Sequence, residues 1–369
     1  MINHTYNILM NGMKKNFNNA HILIVGSGIV GKFNALELSK KGFKITIADQ
    51  QKKKNSSSAA LGILIGNMYQ KSKGRSWELR RKSNELWPKW IKFLKQYNNN
   101  LHIEKPLIQL TTKQENFEKL SKFFSHHPRQ GLRVLEQDST IIQSINKIFN
   151  MDNLKGIIST EDGRIDPLTL LKTLNIYLKD KKINFIKENI IKINKINNQW
   201  ISTCSNKLVI KSDVIILCNS LDALKLIDLN LHNIKLKPVL GQAIEISLNE
   251  EEINLLSLPK HFSIDGTNFI RTNKNKIIIG STDEYDIKPK ENTFEDLTDF
   301  LETKPQWLNK NNITDKWFGI RSRPEGEPSP ILKSLEKGLI LCTGFYKNGI
   351  LLAPACSNWI SDEIENHLL

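Results

Sequence analysis

The residues able to do chemistry in this 369-residue chain fall into few patterns, and the clearest lies near its start. Gly26, Gly28 and Gly31 satisfy G-x-G-x-x-G. The first suits a tight turn, the second lets a pyrophosphate approach the backbone, and the third lets helix and sheet pack closely. A diphosphate there rests at a helix N-terminus, where unpaired N–H groups and the helix dipole attract anions. Asp49 follows where a ribose-binding acid is expected. Turn and acid together specify an adenine dinucleotide and leave NAD and FAD both open. Lys52, Lys53 and Lys54 read as a solvated basic loop rather than a reader of a 2′-phosphate. Cys204, Cys218, Cys342 and Cys356 are widely spaced and form no C-x-x-C pair. That argues against a zinc site or a disulfide framework, fits a reducing cytoplasm, and leaves no metal to expect.

The elements that position the turn are legible around it. Ile22 to Val25 are aliphatic without interruption, as a strand covered on both faces should be. Ala35, Leu36 and Leu38 supply the apolar face of the following helix, Gly42 ends it, and Lys44 to Asp49 gives a second strand closed by the acid. Residues 1–20, rich in Asn and Lys, read as a loose extension without the apolar centre of a signal peptide, with Met13 as an alternative start.

Composition sets the outer bounds. With 39% hydrophobic residues, 12 Pro and 19 Gly, the chain is globular, of a length for one large or two intertwined domains, and able to bury a sizeable core. No apolar run approaches the roughly 20 residues of a membrane span. The charge, 53 − 38 = +15, comes from lysines dispersed among Asn and Ile, which reads as a solvated surface rather than a nucleic-acid face.

Along the chain, residues 55–66 are small and without period, suggesting a backbone pressed against something flat. Residues 75–94 read as a helix with Trp77, Leu79, Leu86, Trp90 and Leu94 as its apolar positions and Pro88 as a kink or break. Residues 107–111 read as a strand, 115–124 as a helix and 156–160 as a strand. Asp166 caps a helix that opens on Pro167. A meander of short strands runs from 183 to 210, and 213–218 is a second buried strand. Antiparallel strands follow from Pro238, then a helix over 293–301, a strand over 338–343 and a last helix through Ile360.

With these pieces in order, the chain resembles the D-amino acid oxidase superfamily of FAD-dependent oxidoreductases, most closely its glycine oxidase branch. The resemblance covers nearly everything after residue 20. It rests on the glycine turn with Asp49, the run Ser57-Ser-Ala-Ala-Leu-Gly-Ile-Leu64, Asp162-Gly-Arg-Ile-Asp-Pro167 and Lys237-Pro-Val-Leu-Gly241. Gly280-Ser-Thr-Asp-Glu284, Gly319-Ile-Arg321 and Gly344-Phe-Tyr-Lys-Asn-Gly-Ile-Leu-Leu-Ala-Pro354 complete it. The fold it implies is α/β: a Rossmann-like FAD-binding domain of the glutathione-reductase type, interleaved with an antiparallel-sheet α+β substrate domain. Residues 21–100, 151–235 and 335–369 are assigned to the first, and 101–150 with 236–334 to the second.

The resemblance further implies non-covalent FAD rather than NAD. Gly26, Ser27, Gly28, Ile29, Val30 and Gly31 then meet the diphosphate, and Asp49 with Gln50 the adenosine ribose. Ser57, Ser58, Ala59, Gly62 and Ile63 line the isoalloxazine, and Asn189 and Ile190 fall at the adenine end. Gly344, Asn348, Gly349, Ile350 and Leu351 close over the ring. The implied reaction oxidises the Cα–N bond of a small amine or amino acid (glycine, sarcosine or a D-amino acid) by hydride transfer to flavin N5, with O2 or a quinone as electron acceptor. None of the 8 histidines lies in the late motifs, and no acid–base triad is required.

Arg321 stands where the family anchors a substrate carboxylate, a task for a planar two-pronged donor. Arg323, two residues on, points to the same face of a strand and competes for that role. Lys347 replaces an arginine of the family's Gly-His-Phe/Tyr-Arg-Asn-Gly loop, Phe345 its histidine, and Ser220 stands where a glycine usually follows a strand. Tyr346 and Tyr285 are spare hydroxyls. Asn268 and Asp283 fall where glycine oxidase has a substrate-lining Tyr and Met, which opens the substrate's identity. Cys342 reads as a small buried hydrophobe rather than a flavin attachment point. Two other readings remain: a relative acting on a modified wobble uridine of tRNA, and a protein that binds FAD without turnover.

Overall fold

A computed structural model describes residues 20–51, 55–227, 232–249, 258–273, 275–285 and 287–368. The expectations on the N-terminal extension and on Lys52 to Lys54 lie outside the described residues. Six strands form the first sheet, in the order Ile331–Glu336, Leu339–Thr343, Val214–Leu217, His21–Val25, Lys44–Ala48 and Asn184–Ile186. All its pairs are parallel except the edge pair of Ile331–Glu336 with Leu339–Thr343. The four inner strands are almost wholly buried, and an unbroken run of Ile, Leu and Val is what a strand roofed on both faces needs.

Helices cover one face. Ile29–Lys40 and Gly349–Glu363 share a core with Arg75–Leu94 and Pro167–Asp180, through Phe33, Leu36, Trp87, Trp90, Leu174, Ile350 and Leu352. On the other face lies an antiparallel meander of Ile190–Ile196, Gln199–Cys204 and Val209–Ser212, whose Trp200 and Cys204 pack on Leu23, Val25, Ile215 and Leu217. A parallel sheet between helices and a small antiparallel sheet is the expected nucleotide-binding architecture.

The second sheet has eight strands, in the order Ile313–Glu325, Lys235–Ser247, Lys276–Gly280, Thr267–Asn273, His261–Ile264, Leu107–Thr111, Lys155–Ser159 and Leu132–Leu135. Only His261–Ile264 with Leu107–Thr111 is parallel. The helices Thr140–Phe149 and Thr293–Thr298 seal one face through Ile142, Ile145, Phe149, Phe294 and Leu297.

Four features depart from expectation. Lys155–Ser159, assigned by sequence to the nucleotide-binding part, pairs with Leu107–Thr111 and Leu132–Leu135 in the eight-stranded sheet. Ile331–Glu336 belongs to the six-stranded sheet and so crosses the boundary drawn after residue 334. The helix Thr140–Phe149 was not anticipated, although Ile142, Ile145 and Phe149 recur at helical spacing. Finally, the helix Arg75–Leu94 runs through Pro88 unbroken, with Trp87 among its buried positions and Leu79 and Leu86 only partly covered. Pro88 is exposed, so the backbone carbonyl that loses its partner can turn to water.

Between the two sheets runs the segment 55–68, and a buried carboxylate fixes its end. Asp162 is 1% exposed and accepts hydrogen bonds from the backbone N–H groups of Gly66 (2.8 Å), Asn67 (2.8 Å) and Met68 (2.7 Å). Arg164 holds the other end, donating to Leu61 O and to the carboxylates of Glu104 and Asp166. Asp166 in turn caps the next helix at Thr169 N. The Asp162–Pro167 motif is therefore a clamp for the backbone at 61–68. Replacing Asp162 by Ala strands three N–H donors, two of them in buried backbone. Asp162→Ala is expected to cost about 3–5 kcal/mol of stability, read as a lower midpoint in urea unfolding at unchanged slope.

Candidate active site

The glycine turn joins the strand His21–Val25 to the helix Ile29–Lys40. A Cβ on Gly31 would sit 1.9 Å from Gly26 O, so only glycine lets the helix start this close to the strand. Ser57 Oγ accepts from Ile29 N at 3.0 Å, while Gly28 at the N-cap brings no side chain and the first turn holds no acid. Asp49, at the end of the second strand, accepts from Ser27 N at 2.6 Å and from Gln51 N at 2.5 Å, so its carboxylate lies against the turn. Gln50 beside it is exposed. Open N–H groups with an acid next to them are the donor set that a diphosphate and a ribose require.

From this turn a cavity of about 790 Å³ extends towards the eight-stranded sheet, within the usual range of small-molecule sites. Gly28, Ile29 and Val30 line one end. Ser57, Ala59, Gly62 and Ile63 form a wall, and Asn348, Gly349 and Ile350 bring in a second helix start. That helix, Gly349–Glu363, also lacks a side-chain cap and an acid in its first turn. A Cβ on Gly349 would meet nothing closer than 3.8 Å, so the floor there is open to a flat ligand. Arg321, Arg323, Tyr346, Lys347 and Asn268 are also in the lining.

Some expected residues stand back from the cavity. Ser58 is occupied with Asn55, to which its N–H and hydroxyl both donate. Gly344 and Leu351 lie behind the loop, with Leu351 O taken by Trp87 Nε1 at 3.0 Å. Asn189 O accepts from Ser205 N at 2.9 Å, and Ile190 packs with Val25 and Ala48 below the nucleotide strands.

Arg321 leaves the strand Ile313–Glu325 over Gly241, where a Cβ would meet its Nη2 at 2.0 Å. Its Nη2 donates to Ser281 Oγ (2.6 Å), and Nη1 to Thr282 O (3.1 Å) and Asp283 Oδ1 (3.2 Å). An arginine has five N–H donors; the remaining two, on Nε and Nη2, have no partner among the described residues. Asp283 also accepts from the Tyr346 hydroxyl (2.5 Å) and from Lys347 Nζ (2.9 Å). Burial pushes the Asp283 carboxyl up, but Tyr346, Lys347 and Arg321 outweigh it and hold it below the usual carboxylate range. Burial, reinforced by the hydrogen bond to Asp283, raises the Tyr346 phenol, which stays protonated and donating. Tyr346 is thus a strut and not a base. Arg323 donates from Nη1 to the Tyr285 hydroxyl and lies over the rings of Tyr285 and Tyr346.

Sequence reasoning missed three residues here. Arg80 is 6% exposed, donates to Ile65 O and to Asn348 Oδ1 (2.8 Å), and lies 4.0 Å from the Tyr69 ring. Arg80, Ser83, Trp87, Trp90 and Leu94 form the buried stripe of their helix, so a period count that admitted charged residues would have found it. Lys32, also 6% exposed, is lowered to about 8 by burial, partly offset by Asp49. Buried His261 reaches Asn268 through Nε2 at 3.4 Å, and burial lowers it to about 4, so it is neutral near pH 7. Ser220 adopts φ of 58°, the left-handed conformation that explains why a glycine would suit its place. Cys342 is 1% exposed and its thiol is raised by burial, so it offers no thiolate to a flavin.

Among the described residues no helix is long and apolar enough to cross a membrane. Comparison with known proteins agrees with the geometry. The bifunctional protein ThiO/ThiG of Nostoc sp. (strain PCC 7120) is 24% identical over 365 residues, covering 93% of this chain and 52% of its own; the chain spans about half the length of the curated relatives it matches. Glycine oxidase from Bacillus cereus ATCC 14579 shares the fold at TM-score 0.80 and 20% identity, over 95% of this chain and 99% of that one. Glycine oxidase from Geobacillus kaustophilus does so at 0.77 and 19%, over 94% and 95%. Residues 21–363 match the FAD dependent oxidoreductase family DAO, and the chain belongs to that family of flavoproteins.

Proposed function

We propose that the protein oxidises the Cα–N bond of a small amine or amino acid, and that Arg321 anchors the substrate's carboxylate. The observation that carries this reading is the state of the Arg321 guanidinium: three donors pin it to Ser281, Thr282 and Asp283, and two stay open in a cavity shared with the flavin-binding segments. Pinning removes rotamer freedom before the ligand arrives, so less entropy is lost on binding. The open pair can take both oxygens of one carboxylate.

Gly26 to Gly31 would hold the FAD diphosphate, Asp49 the ribose, Ser57 to Ile63 one side of the ring and Asn348 to Ile350 the other. When bound, FAD supplies the acceptor for the hydride that leaves the substrate's α-carbon. The chain's own contribution is placement: Arg321 fixes the carboxylate, Tyr346 and Lys347 hold Asp283 against it, and the apolar wall of Ala59, Leu61 and Ile63 limits water. The 61–68 clamp supports that wall. In the same reading the six-stranded sheet with its helices is the FAD-binding domain, and the eight-stranded sheet is the substrate domain. The free cysteines favour a reducing cytoplasm, and buried Cys342 favours non-covalent FAD. Peroxide release in air, set against dye reduction under nitrogen, tests O2 against a quinone as acceptor.

A second reading draws on Lys71, Arg323 and Lys347, which all line the cavity. Cations around the mouth also suit an amine carried on tRNA. RNA affinity that falls steeply with salt would favour it.

Two outcomes are expected. Asp49→Ala should weaken FAD binding about ten- to hundredfold by fluorescence titration, the loss of one charge-assisted hydrogen bond; unchanged affinity would remove the acid from the ribose site. Arg321→Ala should raise KM about a hundredfold or more for an amino acid while FAD stays bound, and an unchanged KM would end the carboxylate-anchor reading.

A further inference from the structure

We infer that the substrate carries two acidic groups, the first held by Arg321 and the second by Arg323. The inference rests on the carboxylate-anchor reading above and extends it to substrate class. Arg321 and Arg323 alternate along the strand Ile313–Glu325 and therefore leave the same face, with Cα atoms about 7 Å apart. Both line the same cavity, and both are partly buried in its wall.

Charge at this end of the cavity is unbalanced. Arg80 is spent on Ile65 O and Asn348, and Glu327 is held by Lys333 at 2.8 Å. Apart from the exposed Lys71, what remains is Arg321, Arg323 and Lys347 facing the one carboxylate of Asp283, which serves Arg321 and Lys347 together. Arg323 has no carboxylate within 4.0 Å among the described residues; its known partner is the neutral hydroxyl of Tyr285. A single substrate carboxylate would leave one cation unanswered in a partly desolvated wall, which is costly. A second acidic group balances it. The two tyrosine rings at 5.2 and 5.8 Å keep the Arg323 guanidinium flat and oriented. An aminodicarboxylate has this chemistry. Two guanidiniums side by side on one strand of a cavity wall fit such a compact dianion better than a polymer strand, which needs cations spread over an open face.

The test uses the FAD-loaded enzyme and reads flavin absorption changes on titration with acetate and with succinate at fixed ionic strength. Succinate is expected to bind at least about tenfold more tightly than acetate, the worth of one added charge-assisted pair. Arg323→Ala and Arg323→Gln should abolish that preference, and Arg323→Lys should restore part of it. Equal binding of the two ligands by the unaltered enzyme, or an unchanged preference in Arg323→Ala and Arg323→Gln, overturns the inference. Acetate binding that survives Arg321→Ala overturns the anchor reading itself, and this inference with it.

Discussion

The Asp283 carboxylate is where the two halves of the molecule are tied at the site. It sits after the strand Lys276–Gly280 of the eight-stranded sheet and receives Arg321 from the same sheet. It also receives Tyr346 and Lys347 from the turn that leads from the six-stranded sheet into the helix Gly349–Glu363. Tyr346 N donates to Ser322 O at 2.9 Å as well, so backbone and side chain fasten the same junction. Remove the negative charge and three polar groups lose their common partner. The shape of the cavity thus depends on an acid that no ligand need touch.

Much of the fold could be read directly. The aliphatic runs at 22–25 and 214–217 announce buried parallel strands, because no half-solvated strand tolerates them. Asp166 before Pro167 announces a capped helix, and its side chain does cap Thr169 N. What could not be read is pairing. Lys155–Ser159 is as buried as a nucleotide-sheet strand, and nothing within those residues says which neighbour it will meet. The choice belongs to Leu107–Thr111 and Leu132–Leu135, far along the chain.

The same limit applies to the site. The glycine turn and Asp49 are local, separated by one helix and one strand, so spacing alone brings them together. Asp283 could be placed near the substrate by resemblance, but its role as the common partner of Arg321, Tyr346 and Lys347, dozens of residues away, shows only once the fold brings them together. Arg80 was hidden for a different reason: an arginine on a Trp- and Leu-bearing helix is ordinarily counted with the solvent face. Its burial becomes intelligible once Ile65 O and Asn348 are seen waiting for it.

The strand Ile313–Glu325 ends the eight-stranded sheet and is 13 residues long, an unusually extended border. Its outer side is met by the segment 55–61: Ser56 Oγ donates to Ile320 O at 2.6 Å, and Trp317 Nε1 donates to Ala59 O at 3.2 Å. The same few small residues that wall the cavity therefore act as a guard rail. A chain in which they fail to seat offers a bare row of amides and carbonyls to any second molecule, inviting strand-to-strand clumping. Cavity wall and sheet border are in that sense one piece of structure, shared through residues 55–61.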